Sequence, residues 1–457
     1  MATRAAGVPA QRSRGVRVRV TGGIRSLQRV PALLAALGIF PLLAIVLKRA
    51  VDVPYWDEWE WAELVYAAHR HTLTFARLWQ PHNEHRILIP NLLALGLDAA
   101  GGWTPVREEL VSLALLAATQ LGLWVLFRRT VPAAWRGIVF LAATVVLLGL
   151  VQFENLGWGF QMAWFLCDAA VVAVAVALSR PHASERDLLL AAVAATIASL
   201  SSSQGLLAWP VGLVLIALIP RRRVARGAVW LVLAVAVSAV VRAGSPHGEG
   251  AGHAGLGHPF LLARYVLAYL GAPLGMSFGP GLSILAGGAL LVWLAALAAA
   301  ALRGPLGVRV RTAPWLALAA YPVLAAAVTS VARAGFGLGQ ATSSRYTSIT
   351  ALAWIAALAA TCVVARRGLR GARAPALGAM AVAAAAALLV LGSVKQTLAA
   401  NRAWQLHAAD LRAGRAAIAA GEPRGLAPIT PDPAGVTDLL GEMARIRDGV
   451  FRPSGGP

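Results

Sequence analysis

Eleven apolar runs, each at or near the length of a membrane crossing, recur along the chain at 31–47, 106–127, 137–152, 160–178, 187–200, 205–219, 227–241, 280–302, 313–330, 347–365 and 375–392. In hydrocarbon a backbone N–H or C=O has no water to bond, so a crossing segment must satisfy its own polar groups as a helix. The runs predict an all-α polytopic membrane protein of about eleven transmembrane helices. A composition of 58% hydrophobic and 13% charged residues, with a mean hydropathy of +0.67, requires the same class independently. Several runs fall short of the roughly 20 residues of a full crossing, so their ends are expected to reach into the neighbouring loops.

The arginines fix a register. Clusters at Arg128, Arg129 and Arg136, at Arg180 and Arg186, at Arg221, Arg222, Arg223 and Arg226, at Arg303, Arg309 and Arg311, and at Arg366, Arg367, Arg370 and Arg373 all occupy alternate gaps between runs. Seven more, from Arg4 to Arg29, precede the first run. Cytoplasmic loops retain basic residues, which places all these gaps and the N-terminus inside, in a plasma membrane. That register holds only if Ile87 to Gly102 and Pro259 to Gly275 do not cross, so both are expected to be helices on the outer surface. Lys48 and Arg49 follow the first run where a signal peptide would show a small-residue cleavage site, so this run reads as an uncleaved first span. The net charge of +21 is thus a topology signal, and no basic segment is interleaved with aromatics as a nucleic-acid partner requires. Cys167 and Cys362 both lie within apolar runs, which argues against a disulfide framework.

Three regions result: a basic cytoplasmic N-terminus at 1–30, a transmembrane domain at 31–392 with a first outer loop at 48–105, and a small helical tail outside at 393–457. In the tail, Asp432 is the expected N-cap of a helix that starts with Pro433.

Ionisable residues without a topological role gather on the outer face. The first outer loop carries Asp52, Asp57, Glu58, Glu60, Glu63 and Glu84 among aromatics and histidines, and carboxylates are costly beside a bilayer unless paired or used. From Asp57 to Arg70 an apolar stripe of Trp61, Leu64, Val65 and Ala68 predicts a helix resting on the membrane surface, with Trp56 and Trp59 at headgroup level. Asp57 and Glu58, just beyond the stiffening Pro54, are candidates for chemistry. His82-Asn-Glu-His85-Arg86 sets two imidazoles three residues apart, within reach of a phosphate, an acceptor or a divalent cation, but without the spacing of a zinc protease. Glu154 stands where the third span meets the outer surface, and Asp168 lies some eight residues deeper in the fourth. Arg345 with Tyr346 suits a lipid phosphate at headgroup level or an interfacial anchor. His247, Glu249, His253 and His258 sit in a glycine-rich stretch that reads mainly as a lid.

With these residues in place the chain resembles the GT-C superfamily of membrane glycosyltransferases, in the polyprenyl-phosphate-sugar-dependent protein mannosyltransferase and aminoarabinose-transferase branch. The likeness rests on the first span followed by Asp57-Glu58, surface helices before the second span, Glu154 in the next outer loop and Arg345 late in the chain. It also resembles a group of bacterial membrane proteins with Tyr-Trp-Asp-Glu-Trp, His-Asn-Glu-His-Arg and Trp-Gly-Phe-Gln stretches. Glu154 stands where the branch usually has aspartate, and His85-Arg86 replaces a Lys-Pro-Pro-type motif. The resemblance implies inverting transfer of a sugar from a polyprenyl phosphate to a glycan, lipid or protein acceptor of the cell envelope. Asp57 would be the base, with Glu58, Glu154, His82, His85, Arg86, Arg345 and Tyr346 binding substrates. The competing class is a transporter or flippase of a lipid-linked sugar, in which the same charges would line a path across the membrane.

Overall fold

The computed structural model describes residues 29–180, 183–219, 223–244, 257–368 and 374–446, and among these no strand forms. The N-terminal arginines before Arg29, His247, Glu249 and His253 lie outside the described residues. The principal helices are α1 (Arg29–Leu37), α2 (Ile39–Arg49), α3 (Glu58–His69), α4 (Leu88–Ala99), α5 (Pro105–Thr130), α6 (Ala133–Leu147), α7 (Met162–Leu178), α8 (Glu185–Ser199), α9 (Ala208–Leu218), α10 (Arg223–Arg242), α11 (Pro259–Gly275), α12 (Pro280–Arg303), α13 (Leu306–Arg333), α14 (Thr347–Gly368), α15 (Ala374–Ala420) and α16 (Pro433–Ile446).

Among the described residues ten helical segments are long and apolar enough to cross a membrane, so the chain is a polytopic all-α membrane protein. Nine coincide with the expected runs. The tenth, Pro259–Phe278, was expected on the surface, yet its length and composition suit a crossing. Its C-terminal half packs on two neighbours, and Leu270 O accepts from the Trp354 indole N–H at 2.9 Å, within α14. The Tyr269 ring lies 4.7 Å from that of Tyr346, just ahead of α14. Just past the C-terminus of α11, Ser277 N–H donates to Gln396 Oε1 at 2.9 Å, one residue before Thr397, whose hydroxyl accepts from Leu150 N–H just beyond α6. The runs at 187–200 and 205–219 become the shorter α8 and α9, each under a full crossing.

Local sequence explains the boundaries. Thr104 accepts from Val106 N–H and Pro105 opens α5, while Ser184 and Asp187 close a capping box at the start of α8. Asp432 accepts from Gly435 N–H at 3.0 Å ahead of Pro433, as the sequence predicts. Close approach of helices relies on missing side chains. A Cβ at Gly271 would lie 1.9 Å from the Ser283 carbonyl oxygen and one at Gly287 1.9 Å from that of Leu267, so α11 and α12 meet backbone to backbone.

Among the described residues two cores form. The larger fills the helical bundle, and two of its buried polar side chains pair across helices: Gln120 donates to Ala35 O at 2.7 Å and Trp315 to Thr130 Oγ1 at 2.9 Å. The smaller is a cap built from the first outer loop, the 158–162 segment and the tail. Here the structure corrects the surface-helix expectation for α3. Trp59 and Trp61 are buried at 5% and 1% exposure, because Ile429, Val436, Leu439 and Leu440 of the tail pack with them in this core. Burying each such aliphatic side chain contributes about 1.5–3 kcal/mol, which makes protein a better partner for the stripe than headgroups are. The 47-residue α15 carries the chain out of the bundle and into this cap.

Candidate functional site

The chain leaves α2 and is pinned at once. Val51 and Val53 are buried, and Trp56 N–H donates to Ile429 O at 2.8 Å. This bond holds Trp56 at φ 49°, a left-handed conformation that costs a bulky residue about 1–3 kcal/mol. Asp57 then occupies the N-cap position of α3 with helical φ and ψ and makes no capping bond, leaving its carboxylate free to turn outward. Its Oδ2 lies 3.7 Å from His82 Nε2.

Glu58 turns the other way. It is 1% exposed and accepts from Tyr55 N–H at 2.7 Å and Phe160 N–H at 3.2 Å. Burial pushes its pKa up to about 8, against the pull of those backbone bonds. A substrate hydroxyl has no access to it, so the expected binding role of Glu58 gives way to a structural one. Glu108 sits beside it, taking the Trp103 indole N–H. Gly159 separates the two acids: a Cβ there would lie 2.6 Å from Glu108 Oε2 and 2.8 Å from Glu58 Oε1.

His82 and His85 face each other across a tight turn closed by His82 N–H to His85 O at 2.9 Å and His85 N–H to His82 O at 2.8 Å, with Asn83 at φ 49°. Their side chains part company. His82 is buried against the Phe160 ring, with Nδ1 2.8 Å from Glu60 Oε2. Burial pulls its pKa down, but Asp57 and Glu60 together outweigh this and raise it to about 9. His85 Nδ1 instead accepts from Ser203 N–H at 3.2 Å, and burial lowers its pKa to about 4 despite nearby Glu84. Glu84 is paired with Arg333 at 2.8 Å. One histidine is cationic at neutral pH and the other neutral. Among the described residues no group of three or more His, Cys, Asp or Glu is disposed to hold a metal ion.

Arg86 departs from expectation. It is 4% exposed, stacks over Trp79 and donates to the carbonyls of Trp79, Val241 and Ala243, so its guanidinium closes the end of α10 and has no free fork for a phosphate. Tyr346, expected to bind substrate beside Arg345, is 4% exposed and packed between Trp164 and Tyr269. Asp168, inside α7, is faced by the hydroxyls of Tyr321 and Ser348.

Arg345 and Glu154 do come together. Glu154 Oε2 accepts from Arg345 N–H at 2.9 Å, and Asn155 Nδ2 donates to Arg345 O at 2.9 Å, so the backbone at 345 is clamped while its side chain stays available. Both line a cavity of about 130 Å³ with Tyr55, Trp56, Phe153, Trp158 and His407. Burial pushes the Tyr55 phenol up to about 12, so it keeps its proton. Trp56 belongs to this cavity and its chain neighbour Asp57 to the histidine pair, so one short segment joins the two clusters. A groove of about 830 Å³ is bordered by Glu60, Gln80, His82 and Asn83.

Sequence reasoning counted Glu60 among the acidic residues of the first loop without pairing it with His82, and missed His407 altogether. Glu60 shares the Asp57 helix and could have been matched to a histidine; His407, alone in an alanine-rich tail, carries no local signal. The sequence matches no family model, and neither a curated protein nor a solved structure matches it, so the site is read from its own geometry.

Proposed function

We propose that the protein is a membrane glycosyltransferase that moves a sugar from a polyprenyl-phosphate donor to an acceptor at the outer face of the plasma membrane, with inversion. The observation that carries this reading is the adjacency of a half-exposed carboxylate held by a cationic histidine, Asp57 with His82, and a cavity presenting the Arg345 guanidinium. An acceptor hydroxyl entering from the groove beside Glu60 gives its proton to Asp57 as its oxygen attacks the anomeric carbon. The bond from that carbon to the phosphate oxygen breaks on the opposite side, and the lipid phosphate leaves with the electron pair. Arg345 meets the charge that develops there. His82, fixed by Glu60, holds Asp57 in position. The buried Glu58 stays out of this chemistry, as does Arg86.

The test uses membranes that contain the protein and a polyprenyl-phosphate-linked sugar. Asp57→Asn is expected to abolish transfer with expression and folding intact, and Arg345→Lys to reduce it strongly, because an ammonium cannot reproduce the planar fork. Parent-like transfer by Asp57→Asn removes Asp57 from the mechanism. Net movement of intact lipid-linked sugar across vesicles, without a new glycosidic bond, would favour the flippase reading instead.

A further inference from the structure

The cavity around Arg345 has four walls from four separate parts of the chain, and one of them is the tail. Tyr55 and Trp56 come from the first outer loop, Glu154 and Trp158 from the second, Arg345 from the last, and His407 from the extramembrane stretch of α15. The Tyr55 ring stands edge-on to both others, 4.7 Å from His407 and 5.3 Å from Trp158.

The polar atoms divide into two kinds. Trp158 is 6% exposed, and its indole N–H has no partner among the described residues; the Arg345 Nε–H is buried and also without one. Both can only donate. His407 Nε2 lies 3.2 Å from Gly157 O, and a carbonyl only accepts, so Nε2 carries the hydrogen. The neutral ring then offers Nδ1 as an acceptor, and Glu154, with Oε2 occupied by Arg345 N–H, retains Oε1. A bare phosphate would use the donors and leave the acceptors idle. A free sugar would bring no anionic oxygens to the Arg345 Nε–H and the Trp158 indole N–H, neither of which has a partner among the described residues. A glycosyl phosphate uses both.

We propose that this cavity receives the junction of a prenyl-phosphate sugar, with phosphate oxygens accepting from Arg345 and the Trp158 indole N–H and a ring hydroxyl donating to His407 Nδ1. Trp158 is thereby a phosphate-binding residue, His407 the residue that distinguishes a sugar-bearing lipid from the bare lipid phosphate, and the tail an integral part of the donor site. The assignment deepens the glycosyltransferase reading and rests on it for the nature of the lipid.

Binding to full-length protein in nanodiscs separates the two. The probes are farnesyl phosphate and farnesyl phosphate carrying one hexose, read by tryptophan fluorescence. Trp158→Phe, which removes only the N–H and some ring area, is expected to weaken both probes about tenfold, the worth of one hydrogen bond to a charged group. His407→Ala is expected to weaken the hexose-bearing probe about tenfold and leave farnesyl phosphate unchanged; should it fail to fold, His407→Phe, which keeps a ring against Tyr55, carries the same expectation. Parent-like binding of both probes by the Trp158 and His407 variants overturns the assignment, as does equal weakening of both probes by the His407 variants, which marks a purely structural role. Failure of the parent to bind either probe overturns it too. If the differences hold but no transfer is ever found, the cavity assignment stands and the glycosyltransferase reading falls.

Discussion

The His82 cluster should make the cap unfold more easily as pH rises, and the size of the effect can be worked out. A histidine titrates near 6.5 when free, and Asp57 and Glu60 hold His82 at about 9 even though burial opposes its charge. Below pH 6.5 both the folded and the opened cap carry the proton, and the stabilisation is complete. Between 6.5 and 9 only the folded form keeps it, so stability falls by about 1.4 kcal/mol per pH unit and by roughly 3 kcal/mol in total. Above 9 nothing remains to lose. Glu58, raised to about 8, adds a slope of the same sign between its ordinary range and pH 8. The His82 share is therefore the difference between parent and His82→Gln. Hydrogen exchange at the His82 and His85 amides, corrected for intrinsic rates, should show protection falling close to tenfold per unit faster in the parent from pH 6.5 to 9. Salt near 1 M should shrink the difference, because Glu60 is 56% exposed and screened. Equal slopes in parent and variant would refute the charged-histidine account.

Three further outcomes are expected. Glu154→Ala strips the acceptor from Arg345 N–H and should lower stability by about 1–3 kcal/mol in detergent melts, whereas Glu154→Gln, which keeps a carbonyl oxygen, should lose less. Gly271→Ala forces a Cβ within 1.9 Å of Ser283 O and should cost about 1–3 kcal/mol by the same assay, while Gly288→Ala, with nothing within 4 Å, should melt like the parent. Cysteines introduced at Gly441 and Gly281 should react with an impermeant maleimide on intact cells and one at Arg303 only after permeabilisation; the reverse pattern overturns the register drawn from the arginines.

Most of the bundle was legible because each crossing must satisfy its backbone internally, and long apolar runs leave helices as the only outcome. The signal fails where length is short. The α8 and α9 helices are under a full crossing, whereas Pro259–Phe278, set aside by the arginine register, is long enough for one. The candidate site was half legible. Asp57, His82, Glu154 and Arg345 stand out as polar residues in apolar surroundings, and the structure puts them in two neighbouring clusters. Glu58, Arg86 and Tyr346 looked equivalent in the sequence, but burial and partners far along the chain separate them: Phe160 for Glu58, Val241 for Arg86, Tyr269 for Tyr346. Long-range pairing of this kind leaves no local pattern. The burial of α3 is the same case, since it depends on a tail that returns almost 370 residues later, through Trp59 and Ile429.

The continuity of α15 makes the bilayer a party to the geometry of the cavity. From Gln396, bonded to Ser277 beyond the end of α11, to His407 the helix rises about 16 Å, so a tilt of about 5° moves the imidazole by roughly 1.4 Å, well past the 0.5 Å or so within which a binding constellation works. Asn401 bonded to Arg49, and Trp404 buried beneath the same guanidinium, act as the guy-lines of this mast. Membrane thickness, which sets the tilt of helices with long apolar stretches, thus acts on the site mechanically: Trp404→Ala should leave cavity occupancy dependent on the chain length of the surrounding lipid, where the tethered parent is indifferent to it.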